Sequence, residues 1–520
     1  MNSKAIVSGA LILLVGNVLS SLLGLVREML MAAHYGTGID MDAYLFALTI
    51  PGFLLTFASG IYSSGFIPLY IKEKVDSGEE KASLLYSNSI NLSLLLLAVV
   101  TAGCYLGSEY LAGAFAIDAA AQDKIMRLLW ILLPSMFFFT LSYAQSMVLN
   151  SVNHFTMPAL LTVLNNIVVI GFMLALHRSL GIYSAAIGYV LGTALQFAVQ
   201  LPVMRRYKLK YRFYLSFKDE SVRRLARISI PIAGLVLIDQ CTVLASRFFA
   251  SSLEPGSASA INYASRLVML PVTLFGTAII SSAFPSAVQM QAENKLREYG
   301  SVLSATVKSM ILLLAPVAVL CASLSPDIIR AMLERGAFDT KATAMTATAF
   351  AIVAIGIPMF PVRDFFVKLL ISRGNNRAPI VSTALYGAVF VAGCFALVPL
   401  IQYKAIAVAN IAALVASLVY LLIAFGRQGR DIPLKVPLSF LLKVGASTGL
   451  SAIGALVFRR ECLPWAAAYV PDTVATILTL ALGMGLYALL AKLMKVEEIA
   501  FVYDKLTARF RPGKRREASA

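Results

Sequence analysis

Apolar runs of about 20 residues recur along this chain from Ala5 almost to its C-terminus, and that pattern leaves few folds open. About 20 apolar residues wound as a helix cross the hydrocarbon of a bilayer, where every backbone N–H and C=O must be bonded within the segment. Fourteen candidate spans follow: 5–26, 43–67, 85–107, 128–149, 158–176, 182–203, 228–249, 268–288, 302–324, 347–371, 380–400, 405–425, 438–458 and 474–491. Lys4 gives the first run the look of a signal peptide, but the run exceeds the usual 7–15 apolar residues of such a segment and is expected to remain as a helix. Of the 520 residues, 59% are hydrophobic and 14% charged, against about 45–50% and 25% in soluble domains. The expectation is an all-α polytopic membrane protein. Soluble enzymes, secreted disulfide scaffolds and disordered regulators are excluded.

The basic excess, 44 Lys plus Arg against 27 acids, bears on topology. Between spans 6 and 7, residues 204–225 hold Arg205, Arg206, Lys208, Lys210, Arg212, Lys218, Arg223 and Arg224 with only two acids, Asp219 and Glu220. Arg427, Arg430 and Lys435 with Asp431 follow span 12, and the tail after Ala491 holds eight basic residues and four acids. Loops of the other parity are weaker: Glu254 is the only charge in 253–263, and 325–341 balances three against three. The positive-inside rule then places both termini in the cytoplasm, and no nucleic-acid partner is implied. The five cysteines are scattered and the three histidines far apart, so neither a disulfide framework nor a zinc site is expected. No G-x-x-x-x-G-K-[ST] phosphate loop occurs. No catalytic residue, metal site or cofactor emerges.

Comparing the chain with itself reveals a repeat. Pro51 leads to Ser63-Ser64-Gly65-Phe66, and Pro271 leads to Ser281-Ser282-Ala283-Phe284, an offset of 220 at the prolines and 218 at the second serines. Pro158 pairs with Pro379 at 221, Gly171 with Gly393 at 222, and Tyr183 and Ala185 with Tyr403 and Ala405 at 220. The offset carries span 1 onto span 7, so each repeat holds six helices and keeps its orientation, as in parallel-repeat transporters. The expected organisation is an N-lobe at 1–225 (helices 1–6), a C-lobe at 226–430 (helices 7–12), helices 13–14 at 431–495, and a basic cytoplasmic tail at 496–520.

Charges at membrane depth cost several kcal/mol unless paired or hydrated, which makes each a site candidate. Arg27 and Glu28 end span 1, Asp42 opens span 2, and Asp239 sits mid-span in helix 7. Arg247 lies near the far end of helix 7, Arg266 precedes span 8, and helix 10 carries Arg363, Asp364 and Lys368, with Arg373 and Arg377 beyond it. Arg247, Arg373 and Arg377 suit snorkelling to head groups. Adjacent helical residues do not face each other, so Arg363 and Asp364 are each expected to need a partner elsewhere. Arg27 and Arg266 fit a pyrophosphate, which guanidinium groups grip with paired hydrogen bonds. A structural ion pair is the competing use.

At these residues the chain resembles the MurJ/MviN family of lipid II flippases, in the superfamily that includes polysaccharide-lipid flippases and multidrug exporters. The matching stretches are Gly24-Leu25-Val26-Arg27-Glu28, Asp42-Ala43-Tyr44 with Pro51, and Leu149-Asn150-Ser151 with Phe155, Pro158 and Asn166. Others are Ser259 to Leu267, Glu334-Arg335-Gly336-Ala337-Phe338-Asp339, and Arg373-Gly374-Asn375 leading to Pro379. The resemblance implies two six-helix lobes around a cationic cavity, with two further helices. It implies alternating-access movement of an undecaprenyl-pyrophosphate-linked peptidoglycan precursor, lipid II, from the inner to the outer leaflet of a bacterial inner membrane, and no enzyme activity. Substrate contacts would come from Arg27, Arg266, Asp42, Arg363, Asp364 and Asn166. Asp239 and Asn375 would serve a coupling cation, Na+ or H+, or the membrane potential would drive transport. The expected partners are the lipid-linked saccharide and membrane lipids, with cell-wall synthesis proteins as candidates. The chain departs from the family's arginine pattern at Ser21, Leu55 and Thr56, from its acid near Gly60, and from its aspartate at Ser265. Another polyprenyl-linked glycan, an exopolysaccharide or teichoic-type precursor, is therefore the alternative substrate.

Overall fold

The computed structural model describes residues 3–62, 66–116, 118–152, 154–207, 211–428, 434–462 and 471–496. Ser63, Ser64 and Gly65 of the repeat, Lys208, Lys210, Arg430 and Asp431, and the tail beyond Val496 lie outside them. Among the described residues the chain is helical, with no strand. The helices of the first half are α1 (Ser3–Tyr35), α2 (Ile39–Ile61), α3 (Ile67–Leu106), α4 (Ser108–Gly113), α5 (Ala119–Leu132), α6 (Ser135–Ser151), α7 (Thr156–Leu180), α8 (Tyr183–Arg206) and α9 (Glu220–Ser251). Those of the second half are α10 (Ser257–Pro271), α11 (Thr277–Ala292), α12 (Leu296–Ser323), α13 (Ser325–Leu333), α14 (Thr340–Ala354), α15 (Met359–Ser372), α16 (Arg377–Ile401), α17 (Lys404–Gln428), α18 (Leu438–Val457) and α19 (Asp472–Leu493).

Twelve helical segments are long and apolar enough to cross a membrane among the described residues, thirteen if α14 and α15 form one bent span. The remaining expected stretch, 228–249, falls on α9, part of which lies outside the described side chains. The sequence pattern implies one unbroken helix over 347–371, yet α14 and α15 meet at an angle of 44°. The break holds Gly356 and Pro358, with Pro361 in the next turn, and a proline lacks the N–H that would continue the ladder. Helix α3 starts well before its expected span at 85. Gly78, at φ 87°, kinks it, so the charged stretch from Lys72 to Lys81 precedes the apolar part.

Contacts divide the chain into two compact units. The first comprises Met1–Tyr263, Leu333–Ala342 and Cys394–Ile406; the second comprises Ala264–Met332, Thr343–Gly393 and Ala407–Ala520. An aromatic cluster of Tyr62, Phe66, Tyr70 and Tyr86 with Leu149 and Met204 forms the core of the first. Phe365, Phe366, Leu369, Phe425 and Tyr299 build that of the second. Several buried polar side chains are bonded between helices, where hydrocarbon offers no other partner. Gln200 on α8 donates to Ser142 O at 3.0 Å and Ser142 Oγ at 2.8 Å, and accepts from Ser146 Oγ at 3.0 Å. Each interhelical bond of this kind contributes about 0.6 kcal/mol in a membrane.

The repeat is visible in helix dimensions. The hairpin α7–α8 and the hairpin α16–α17 begin at 156 and 377, a separation of 221, and both α7 and α16 have 25 residues. Each hairpin turns through a left-handed residue, Gly181 at φ 54° and Gln402 at φ 51°. Both close at the same crossing through a small residue, as tightly approaching membrane helices demand. A methyl on Gly188 of α8 would lie 2.9 Å from Phe172 Cβ, and one on Gly393 of α16 would lie 3.0 Å from Ala409 Cβ. Residues 172 and 393, and 188 and 409, are again 221 apart, so the small partner has changed helix between the repeats.

The Glu334–Asp339 stretch is pinned to the end of α1. Ala337 N donates to Ala33 O at 2.8 Å. Gly36 and Gly336, at φ 60° and 62°, let the two backbones approach: a Cβ on Gly36 would collide with the Ala337 carbonyl, and one on Gly336 with the Ala33 carbonyl. Gly336→Ala is therefore expected to destabilise the purified protein by more than the roughly 1 kcal/mol of a left-handed non-glycine residue. Gly374→Ala, at φ 76° with open space around it, should cost only that conformational part. Thermal unfolding of both variants checks the difference; equal midpoints would remove the steric explanation.

Candidate functional site

Three polar side chains at membrane depth converge where α1 meets α7. Arg27 Nη1 donates to Asn166 Oδ1 at 3.1 Å, and Nη2 donates to Glu28 Oε1 at 2.9 Å. Asn166 Nδ2 donates to Ser20 O at 3.2 Å, which fixes the amide so that its oxygen faces the arginine. Glu28 and Asn166 are buried, and the Arg27 side chain is 21% exposed. Tyr44 of α2 and Tyr189 of α8 lie within its electrostatic reach. Gly24, one turn before Arg27, has Asn166 as its nearest side chain beyond α1. Arg27 and Asn166, picked separately from the sequence, thus belong to one constellation. Glu28, which ends span 1 beside Arg27, completes it. A guanidinium oriented by a carboxylate and an amide presents a fixed fork to an oxyanion.

Asp42 has a different environment. Its Oδ2 accepts from Gly256 N and its Oδ1 from Ser259 N, both at 2.7 Å. A carboxylate at a helix N-terminus satisfies orphan donors and meets the positive end of the helix dipole, so Asp42 ties α2 to the first turn of α10. Arg247 of α9, expected to snorkel, joins the same region instead. Its Nη2 donates to Asn262 Oδ1 at 3.2 Å and its Nη1 to Ala258 O at 3.4 Å. Tyr263 adds a bond from its hydroxyl to Gly36 O at 3.2 Å. A small pocket of about 60 Å³ beside Asp42 is lined by Phe46, Phe115, Ile125 and Leu253. Its other acid, Asp118, caps α5 by accepting from Ala121 N at 2.7 Å.

In the second unit, Arg363 is held by several groups. Nε donates to Ser417 Oγ at 2.8 Å and Nη2 to Thr383 Oγ1 at 3.3 Å, and the guanidinium lies 5.6 Å from the centre of the Tyr386 ring. Asp364 also approaches it, at 3.7 Å. The partners expected from elsewhere in the chain are therefore present for Arg363. The neighbouring carboxylate contributes as well, because long side chains reach across the spacing that their Cβ atoms do not close. Asp364 itself is 58% exposed. Arg373, expected at the lipid surface, turns inward, 5.0 Å from the Phe425 ring centre and 5.6 Å from that of Tyr299. Asn375 Oδ1 accepts from Ala378 N at 3.1 Å at the start of α16. Arg266 is exposed on α10 in this unit, and Asp239 is exposed on α9 in the first. At the departures from the resembled pattern, Ser21 Oγ bonds back to Asn17 O, Thr56 Oγ1 to Gly52 O, and Leu55 is buried. None of these side chains offers a cation.

Among the described residues, helices long and apolar enough to cross a membrane, two matched helix hairpins and charged side chains within those helices define a polytopic membrane protein with an internal repeat. Among solved structures, a lipid II flippase MurJ in an inward closed conformation superposes with a TM-score of 0.81 over 94% of this chain and all of that one, at 22% identity. An inward-facing multidrug resistance MATE family transporter gives 0.68 at 13% identity, over 79% of this chain and 94% of that one. A family model described as lipid II flippase MurJ matches residues 31–476. A probable lipid II flippase MurJ of Rhizobium meliloti is 28% identical over 434 residues, 80% of either chain. The lipid II flippase MurJ of Burkholderia cenocepacia is 28% identical over 351 residues, 65% of this chain and 68% of that one. The chain belongs to the MurJ family of lipid II flippases, a family of transporters and not of enzymes.

Asp42→Asn leaves one side-chain acceptor where two backbone donors now converge. The variant should lose about 1–3 kcal/mol, the cost of an unmet buried donor. A thermal midpoint equal to wild type in detergent would show that the bonds at Gly256 and Ser259 are dispensable.

Proposed function

We propose that this chain moves lipid II from the inner to the outer leaflet of the bacterial inner membrane, with both termini cytoplasmic, by alternating access. The observation that carries the reading at the level of residues is the Arg27–Glu28–Asn166 constellation. A permanent positive charge is kept at membrane depth, oriented by two partners, in a chain of the MurJ family. Membrane charges persist where they are used.

The physical task is to carry a pyrophosphate and its saccharide across about 30 Å of hydrocarbon while the polyprenyl tail stays in lipid. Arg27 supplies the fork for phosphate oxygens, and Glu28 and Asn166 hold that fork in place when the head group is absent. Arg266 and Arg363, with Asp364, provide further polar contacts in the second unit. Asp42 keeps α2 against the first turn of α10, and its two bonds to Gly256 and Ser259 must open before those helices separate. The membrane potential, about 2.3 kcal/mol per charge per 100 mV, or a Na+ or H+ gradient acting on Asp239 and Asn375, drives the cycle. The proteins that make and consume the precursor are the natural neighbours of such a carrier.

Leaflet accessibility of labelled lipid II in cells depleted of their own flippase tests this. Wild type should restore exposure of the label. Arg27→Ala should reduce it by about tenfold or more, and Arg27→Lys should recover only part, since an ammonium lacks the paired donors. Equal flipping by wild type and Arg27→Ala would exclude Arg27 as the pyrophosphate contact. Failure of wild type to expose the label would exclude lipid II as the substrate.

A further inference from the structure

The connection between α8 and α9 carries a row of large apolar side chains that stand exposed among the described residues. Tyr211, Phe213, Leu215 and Phe217 are exposed by 53%, 83%, 41% and 66%. They alternate with residues whose backbone is bound to α3. Arg212 N donates to Ser87 Oγ at 3.0 Å, and Tyr214 O accepts from Asn91 Nδ2 at 2.9 Å. Asn88 accepts from Ser216 N at 2.8 Å and donates to Ser216 O at 2.9 Å. Those are the two bonds that a residue of a neighbouring strand would make. Ser87, Asn88 and Asn91 are all buried, so three polar side chains of α3 are committed to holding an extended strap in register. Side chains alternate in an extended chain, and the pinned register presents Phe213, Leu215 and Phe217 outward together, while the half-exposed Tyr211 donates its hydroxyl back to Asn91 Oδ1 at 2.6 Å.

The location of the strap selects its partner. Helix α8 is a membrane span ending at Arg206, which puts the strap within a few residues of the water–lipid boundary, the depth at which aromatic side chains collect. Exposed Arg205, Arg206, Lys218, Arg223, Arg224 and Arg227 flank it along the chain. Of the nearby acids, Asp219 is spent accepting from Ser221 N and Val222 N at the start of α9. We propose that this strap is a binding surface for anionic phospholipid. The aromatic row enters the head-group layer, and the basic side chains around it select acidic head groups over zwitterionic ones. The idea depends on neither the transported substrate nor the side of the membrane that the strap faces.

Phe213→Trp, made with Trp130→Phe and Trp465→Phe so that it is the sole tryptophan, reports the contact by fluorescence quenching in nanodiscs with brominated acyl chains. Quenching by brominated phosphatidylglycerol, diluted in unlabelled phosphatidylcholine, should exceed that by equally dilute brominated phosphatidylcholine. The underlying preference should be about fivefold or more, the contribution of one basic side chain at the surface. Changing Arg205, Arg206 and Lys218 to Gln should abolish the preference while leaving quenching by either lipid. Equal quenching by both lipids in the parent, or a preference unchanged by the triple substitution, would overturn head-group selection. No quenching by either lipid would mean that the row stands in water as a surface for another protein. Should the tryptophan variants fold poorly, native mass spectrometry of the otherwise unaltered chain gives the same reading. Phosphatidylglycerol should be retained over phosphatidylcholine, and retained less by the triple Gln variant; equal retention of the two lipids overturns the proposal.

Discussion

The intolerance of hydrocarbon for an unmet polar group organises this molecule. In water, Gln200, Asn166 or Arg363 could sit on a surface and bond to solvent; in a bilayer each must find a protein partner or bear the full cost of desolvation. The structure meets the demand with bonds between helices that are distant in sequence: Gln200 to Ser142, Asn166 to Arg27, Arg363 to Ser417. Since lipid is as apolar as leucine, these bonds and close packing, not burial from water, decide which helices lie together. The matched crossings at Gly188 and Gly393 are the packing half of the same rule.

Two kinds of charged residue emerge from this constraint. Asp42 and Asp118 serve helix N-termini, where backbone N–H groups absorb the carboxylate. Arg27 is held by side chains, with a carboxylate on one nitrogen and an amide on another. The first kind is committed to architecture, and its bonds change only when helices part. The second keeps a guanidinium oriented without sealing it in backbone, an arrangement suited to exchanging one anionic partner for another. Under the proposed function, the incoming partner in that exchange is the pyrophosphate of a polyprenyl lipid.

At the membrane boundary the rule is relaxed, and the chain uses the relaxation. Buried asparagines of α3 stand in for a strand partner along 211–217, so an extended segment without a sheet still has bonded backbone. The aromatic side chains it aligns are costly in water and favourable among head groups.

The order of apolar runs, the loop charges and the repeat offset near 220 were all legible in the sequence, because helix length, backbone satisfaction and duplication each leave a local, periodic mark. Arg27 was recognisable as a charge out of place and Asn166 only through the family resemblance, whereas the bend at 355–358 was missed because the apolar pattern continues through Gly356 and Pro358. What the linear pattern could not reveal was pairing. That Asp42 closes on Gly256 and Ser259, more than two hundred residues away, that Arg373 turns inward onto Phe425, and that Asn88 holds Ser216 follow from which helix faces meet. A residue's partner across a helix crossing depends on close fit and hydrogen-bond geometry in three dimensions, and neither has a period along the chain.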